Sequence, residues 1–196
     1  MPHRATLAAV GTVSSFRPIA AADARVLILG SMPGVRSLRE RQYYAHPQNA
    51  FWSILGAVCG FSPSLAYRER TRLLVEHGIA LWDVLHSCER PGSLDSSIVA
   101  ASRRANDFAS FFRRHPDIAV VLCNGGTAFS LYGRTVVPAL PGPFAELPCV
   151  RMPSTSPAHA GLRPPQKLAA WREVLAPVLP ARSRDRRRAG RADGTH

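Results

Sequence analysis

The sequence predicts an α/β protein: a three-layer α/β/α domain around a central, mostly parallel four-stranded sheet. Three observations lead there. Four short apolar runs, at residues 26–29, 79–84, 118–123 and 147–152, lack the in-and-out alternation of a strand with one wet face. Segments with helical spacing separate them. Glycine-, proline- and serine-rich turns follow the runs, and the carboxyl ends of parallel strands are where such sheets hold their ligands.

Taken in order, residues 1–24 mix Ala, Thr, Ser and Pro without sustained periodicity and read as a mobile lead-in, with Phe16 and Ile19 tacked onto the core. The first strand is followed by a long polar and aromatic loop. A helix is then predicted over 49–58 from Phe51, Ile54, Leu55 and Val58, with Gly60 closing it. Ser62 as a cap and Pro63 at the first helical position predict a second helix running to about His77, with Gly78 as its stop.

After the second strand, residues 86–97 contain Pro91-Gly92 and several serines and read as loop. Phe108, Phe111 and Phe112 mark a helix over 105–114 that Pro116 ends. The third strand turns through Asn124-Gly125-Gly126 into a short helix reaching Tyr132. A Pro/Gly connection precedes the fourth strand. Residues 153–161 are loop, and the last helix spans 164–175 with Leu168, Trp171 and Leu175 inward. The domain is placed at 25–178 and a disordered basic tail at 179–196.

Charge narrows the function. Twenty-five Lys plus Arg against 13 Asp plus Glu give +12 and a pI of 11.1, which favours a polyanionic partner. Arg182, Arg184, Arg186, Arg187, Arg188 and Arg191 lie in the tail, yet the body stays basic without them. Lys167 is the only lysine. Coding bias accounts for arginine over lysine, but not for positive over negative. Cys59, Cys88, Cys123 and Cys149 lie far apart, which predicts free buried thiols in a reducing compartment and no metal cluster. No apolar run is long enough to span a membrane and no signal-peptide core is present, so a cytoplasmic protein is expected. The P-loop, dinucleotide, hydrolase-elbow and metalloprotease motifs are all missing.

The motifs that do occur are specific. Gly30-Ser31-Met32-Pro33-Gly34, then Gln42-Tyr43-Tyr44-Ala45-His46-Pro47-Gln48-Asn49-Ala50-Phe51-Trp52, and later Pro153-Ser154-Thr155-Ser156-Pro157-Ala158-His159, resemble the uracil-DNA glycosylase superfamily over roughly 25–176. The detailed match is to its hypoxanthine-DNA glycosylase branch. Leu81-Trp82-Asp83-Val84 and Cys88-Glu89-Arg90, with Gly92-Ser93-Leu94-Asp95, are similar to that branch too.

The resemblance implies a monofunctional, cofactor-free DNA glycosylase. It would act as a monomer on DNA containing deaminated bases, hypoxanthine preferred. Met32 stands where related enzymes keep an Asp or Asn that positions water, and a thioether does not replace that group. The implied catalytic residue is Asn49, which from its own chemistry is equally a helix cap. Residues 30–34, chiefly Gly30, Ser31, Met32 and Pro33, would shape the base pocket together with Phe51. Tyr44 would stack on the base, and one of Tyr43 and Tyr44 would only pack. His46 is a base contact or a loop-fixing partner.

Asn124 either reads a base edge or starts a turn, and Asp83 is a pocket carboxylate or, more in keeping with its position, a buried cap. Ser154, Thr155, Ser156 and His159 are the expected DNA contacts. Met152 replaces a histidine that some relatives use on a departing uracil. The 153–159 loop lacks the large apolar wedge of the relatives. The lone lysine argues against a lyase step. A non-catalytic damage binder and a nucleoside-processing enzyme are the competing classes, and steep salt dependence separates DNA binders from the latter.

Overall fold

The structure, a computed structural model, describes residues 11–159 and 161–179. Strand β1 (Thr12–Ser14) precedes β2 (Val26–Gly30), and a polar loop carries helices α1 (Val35–Glu40) and α2 (Phe51–Cys59). Helix α3 (Tyr67–Glu76) leads into β3 (Ile79–Asp83), β4 (Leu85–Glu89), the two-residue β5 (Arg104–Ala105) and α4 (Phe108–Arg114). Strand β6 (Val120–Asn124), α5 (Gly126–Leu131), β7 (Cys149–Met152) and α6 (Pro164–Leu175) complete the domain.

The central sheet runs β3-β2-β6-β7, with every neighbouring pair parallel. All four carboxyl ends therefore open on one edge. Side chains of a strand alternate between its faces, and here both faces are buried. Val26 and Ile28 join Ile79, Leu81, Val120 and Leu122 under α2, α3 and α6, where Phe51, Trp52, Leu55, Leu74, Trp171 and Leu175 pack. Leu27 and Leu29 join Ala80, Trp82, Val121 and Cys123 against Phe108, Phe111 and Phe112 of α4 and Ala128 and Leu131 of α5. Two cores on one sheet make the three layers that the apolar runs predict.

Several expectations change. The stretch read as a lead-in is tied to the fold from residue 12 onward: β1 pairs antiparallel with β4, and Ile19 bridges Leu81. Residues 86–97, read as loop, contain all but the first residue of β4, the centre of a second three-stranded sheet ordered β1-β4-β5. The helix expected from Ser62 begins at Tyr67, because the Ser62 hydroxyl instead closes a local turn on Ser64 N at 3.3 Å. Residues 1–10 and the tail expected at 179–196, apart from residue 179, lie outside the described residues. None of the four cysteines forms a disulfide. Among the described residues no helix is long and apolar enough to cross a membrane.

Candidate active site

A cavity of about 670 Å³ opens at the shared carboxyl edge of the central sheet. That falls within the range of roughly 300–1,000 Å³ usual for small-molecule sites. Its walls come from the carboxyl ends of all four strands and the loops that follow them: residues 30–34 from the end of β2, Asp83 at the end of β3, Asn124 to Thr127 from the end of β6, and Ser154 to His159 after β7. Tyr43, Tyr44, His46 and Asn49 add the wall before α2, and Ser93, Leu94 and Asp95 the wall opposite. Of the expected base contacts, Gly30, Ser31, Met32, Pro33, Tyr44, His46 and Asn124 line it, as does the expected catalytic residue Asn49.

Phe51 is a correction. It is fully buried and lies outside the lining, because its ring stacks behind Tyr44 with centroids 3.9 Å apart and planes 17° apart. With one face taken by Phe51, Tyr44 has only its other face or its edge left for a base. Tyr44 also adopts a left-handed backbone, φ 54°, uncommon for a bulky residue and often found at functional sites. Tyr43 is the packing member of the pair: its N–H donates to the Tyr67 hydroxyl at 3.0 Å and its carbonyl accepts from the Trp52 indole at 3.0 Å.

Asn49 holds two positions at once. Its Oδ1 accepts from Phe51 N at 3.0 Å, satisfying an orphan donor at the start of α2, while the residue lines the cavity. The Nδ2 donor and one oxygen lone pair remain for a ligand. His46 fixes the same loop, its Nδ1 accepting from Gln48 N at 3.3 Å and its carbonyl from Asn49 N at 2.8 Å.

The amide of Asn124 is largely committed elsewhere. Nδ2 donates to Thr155 Oγ1 and Oδ1 accepts from Thr155 N, both at 2.9 Å, so the loop after β7 is locked to the end of β6. Thr155 is 1% exposed, and its carbonyl accepts from Ala50 N at 3.0 Å. It therefore reaches no DNA phosphate, contrary to expectation. Ser154 packs over Gly125, where its Cβ lies 3.0 Å from the position a side chain would take. Ser156 accepts from the buried Lys167 ammonium through its carbonyl at 3.1 Å, and Pro153 from the Trp171 indole at 2.9 Å. Helix α6 thus holds the loop from behind. His159 is exposed at the rim. Met152 points into the core beside α6, off this cavity, whereas Met32 forms part of its wall.

Asp83 and Arg90 are the residues that the sequence undervalues. Asp83 is 3% exposed and lies on the cavity floor beneath Gly30. The Ser15 hydroxyl donates to its Oδ2 at 2.6 Å. Burial pushes its pKa up to about 7, with Asp95 adding to the rise and the Ser15 hydroxyl and Arg90 opposing it. The Tyr44 hydroxyl lies near it, buried and without a hydrogen-bond partner of ordinary geometry. Burial and then the Asp83 charge raise the pKa of Tyr44, so that phenol stays neutral. Arg90, also 3% exposed, donates to the carbonyls of Gly92 at 3.1 Å, Met32 at 3.4 Å and Pro33. It stitches two walls together. A charged residue closing an apolar strand was the signal for Asp83; for Arg90 the signal was its place in the Cys88-Glu89-Arg90 segment, which carries no indication of what it binds. Among the described residues no three His, Cys, Asp or Glu side chains converge as a metal site would require.

The family model described as the uracil DNA glycosylase superfamily matches residues 18–175. This chain belongs to that superfamily. Two relatives named hypoxanthine DNA glycosylase are similar to it. The protein of Methanosarcina barkeri is 38% identical over 111 residues, 56% of this chain and 69% of its own length. That of Methanosarcina acetivorans is 36% identical over 107 residues, 54% of this chain and 66% of its own. A solution NMR structure from Methanosarcina acetivorans, described as a candidate uracil DNA glycosylase, superposes with a TM-score of 0.68 at 28% identity. That likeness covers 83% of this chain and 98% of the other.

Proposed function

We propose that this protein is a monofunctional DNA glycosylase that extrudes a deaminated base, hypoxanthine in preference, and hydrolyses its N-glycosidic bond. The observation that carries the reading is the cavity itself. One pocket at the carboxyl edge of a superfamily fold, apolar over most of its wall, holds Asn49 on that wall and a buried carboxyl, Asp83, on its floor. The two relatives named hypoxanthine DNA glycosylase support the choice of base.

A base in the duplex is stacked and out of reach, so the nucleotide must leave the helix to enter such a pocket. Inside it, neutral Asp83 offers a donor to an oxo oxygen, which deamination creates on a purine. Ionised, the same group would repel that oxygen. The Nδ2 of Asn49 donates to the departing base or holds water against the sugar. DNA phosphates stabilise the oxocarbenium-like transition state from outside. Lys167 is bound to the Ser156 carbonyl and lies outside the cavity lining, so the reading includes no imine with the sugar. The surplus of basic residues supports DNA over a free nucleoside. The protein is taken to act as a monomer.

Duplex oligonucleotides containing hypoxanthine, uracil or xanthine, followed by alkaline cleavage of abasic sites, test this. Release of hypoxanthine fastest is the expected result. Lesion binding without release of any base would leave only a damage binder. Strand breakage without alkali, with borohydride trapping of the protein on DNA, would overturn the monofunctional reading.

A further inference from the structure

Of the two most exposed large apolar side chains among the described residues, one lines the cavity mouth and the other lies between the lining residues Gly34 and Arg36. Leu94 is 56% exposed and Val35 53%. Leu94 lines the mouth, and its loop is held rigidly on both sides. Ser93 Oγ accepts from Val35 N at 2.9 Å. Ser31 Oγ donates to Asp95 Oδ1 at 2.6 Å, and Arg90 grips the Gly92 carbonyl. The fold thus fixes the backbone around Leu94 while leaving its side chain in water. Isolated exposed leucines are ordinary. One clamped by its neighbours at the rim of a base-sized cavity is placed to meet what enters there.

Across the cavity, residues 154–159 offer serines, Thr155, Pro157, Ala158 and His159, none of them a large aliphatic group. On the Leu94 side, α1 and its cap expose Arg36, Arg39 and Arg41 beside Val35; Glu40 pairs with Arg36 at 2.8 Å and approaches Arg39 at 3.8 Å, which leaves the helix a net positive face toward a phosphate backbone. Apolar side chains inserted at a base step hold it unstacked, and they need a positive surround to bring the backbone close. We propose that Leu94 is the wedge that enters the base stack and fills the space of the extruded nucleotide. This role rests on the glycosylase reading and makes Leu94 a positioning residue.

The test compares single-turnover release of hypoxanthine from a duplex and from the same strand unpaired, for the full chain and for Leu94→Ala. The duplex rate should fall roughly tenfold more than the unpaired rate, since only the duplex has a stack to hold open. A pyrene nucleotide opposite the lesion, which fills the gap itself, should restore the variant, and Leu94→Met should keep most of the duplex rate. Equal falls on both substrates, or no recovery with pyrene, would overturn the wedge. A fluorescent 2-aminopurine beside the lesion gives a readout independent of chemistry. Its brightening on binding should be lost in Leu94→Ala, and undiminished brightening would overturn the proposal. If the wild-type chain releases no base, the glycosylase reading falls, while this fluorescence still decides the wedge.

Discussion

Asp83 Oδ1 occupies the space that a side chain at residue 30 would need, and the Tyr44 hydroxyl stands 3.1 Å from the same point. Gly30 ends β2 with an ordinary strand neighbour, Asp83 of β3, directly beside it in register. Its lack of a side chain is therefore a matter of room rather than of backbone freedom: it lets the carboxyl and the phenol share the cavity floor. Gly30→Ala should displace both. Overpacking of this kind costs about 1–3 kcal/mol, and a shift of about 1 Å in a reacting geometry costs on the order of a hundredfold in rate. Urea midpoints and single-turnover excision measure the two losses, and an alanine variant with wild-type rates would remove Asp83 from the site.

Asp83 also predicts a pH dependence. Its carboxyl titrates near 3.8 when unfolded and at about 7 in the fold. Between these values the unfolded chain has released the proton and the folded chain has not. The raised pKa contributes stability that is complete below about 4, declines as pH rises, and is gone above about 7. The difference is on the order of 4 kcal/mol. Asp83→Asn, which still accepts from Ser15, should match wild type at about pH 4 and be the more stable at about pH 8. Excision should fall with rising pH through about 7 in wild type and stay flat in Asp83→Asn. Tyr43, Tyr44, Asp95 and Arg90 face the same group, and a profile that moves equally in the variant would show that the titration is not that of Asp83.

What the sequence made legible follows from the range of the forces involved. The four central strands and α6 were readable because doubly buried strands and an amphipathic helix write their patterns locally. Strands β1, β4 and β5 were not, since Thr12–Ser14 and Arg104–Ala105 are short and polar and are strands only through their partners. The same divide runs through the site. Tyr44 and Asn49 were legible because they follow β2 in the chain. The bonds between Asn124 and Thr155 join residues 31 apart and exist only because β6 and β7 are neighbours. Nothing local to either residue announces them, so the sequence leaves Asn124 open between a base edge and a turn and points Thr155 to DNA.

Asn49 joins a structural bond to a cavity position, and two variants separate the roles. Asn49→Ala loses the acceptor for Phe51 N, worth about 1 kcal/mol in caps of this kind, and the amide donor as well. Asn49→Asp keeps the acceptor, loses the donor and adds a negative charge. Both should reduce excision by roughly a hundredfold to a thousandfold, the range for removing one donor aimed at developing charge, while only the alanine variant loses stability. Full activity in Asn49→Asp would reduce the residue to a cap.

Arg90 is buried with its guanidinium spread over three carbonyls, those of Met32, Pro33 and Gly92. The first two belong to the wall after β2, and the third to the turn that carries Ser93, Leu94 and Asp95. A lysine has one compact ammonium and does not span the three acceptors. Arg90→Lys should therefore leave carbonyls unpaired in a buried place, at about 1.5–3 kcal/mol for each charge-assisted bond lost. The loop bearing Leu94 would loosen with them. Chemical denaturation should register the loss, and the excision defect should be larger on duplex than on unpaired DNA, because the wall that slackens is the one facing the stack. A variant that is destabilised yet excises equally well from both substrates would show that the two walls hold their geometry without this cation.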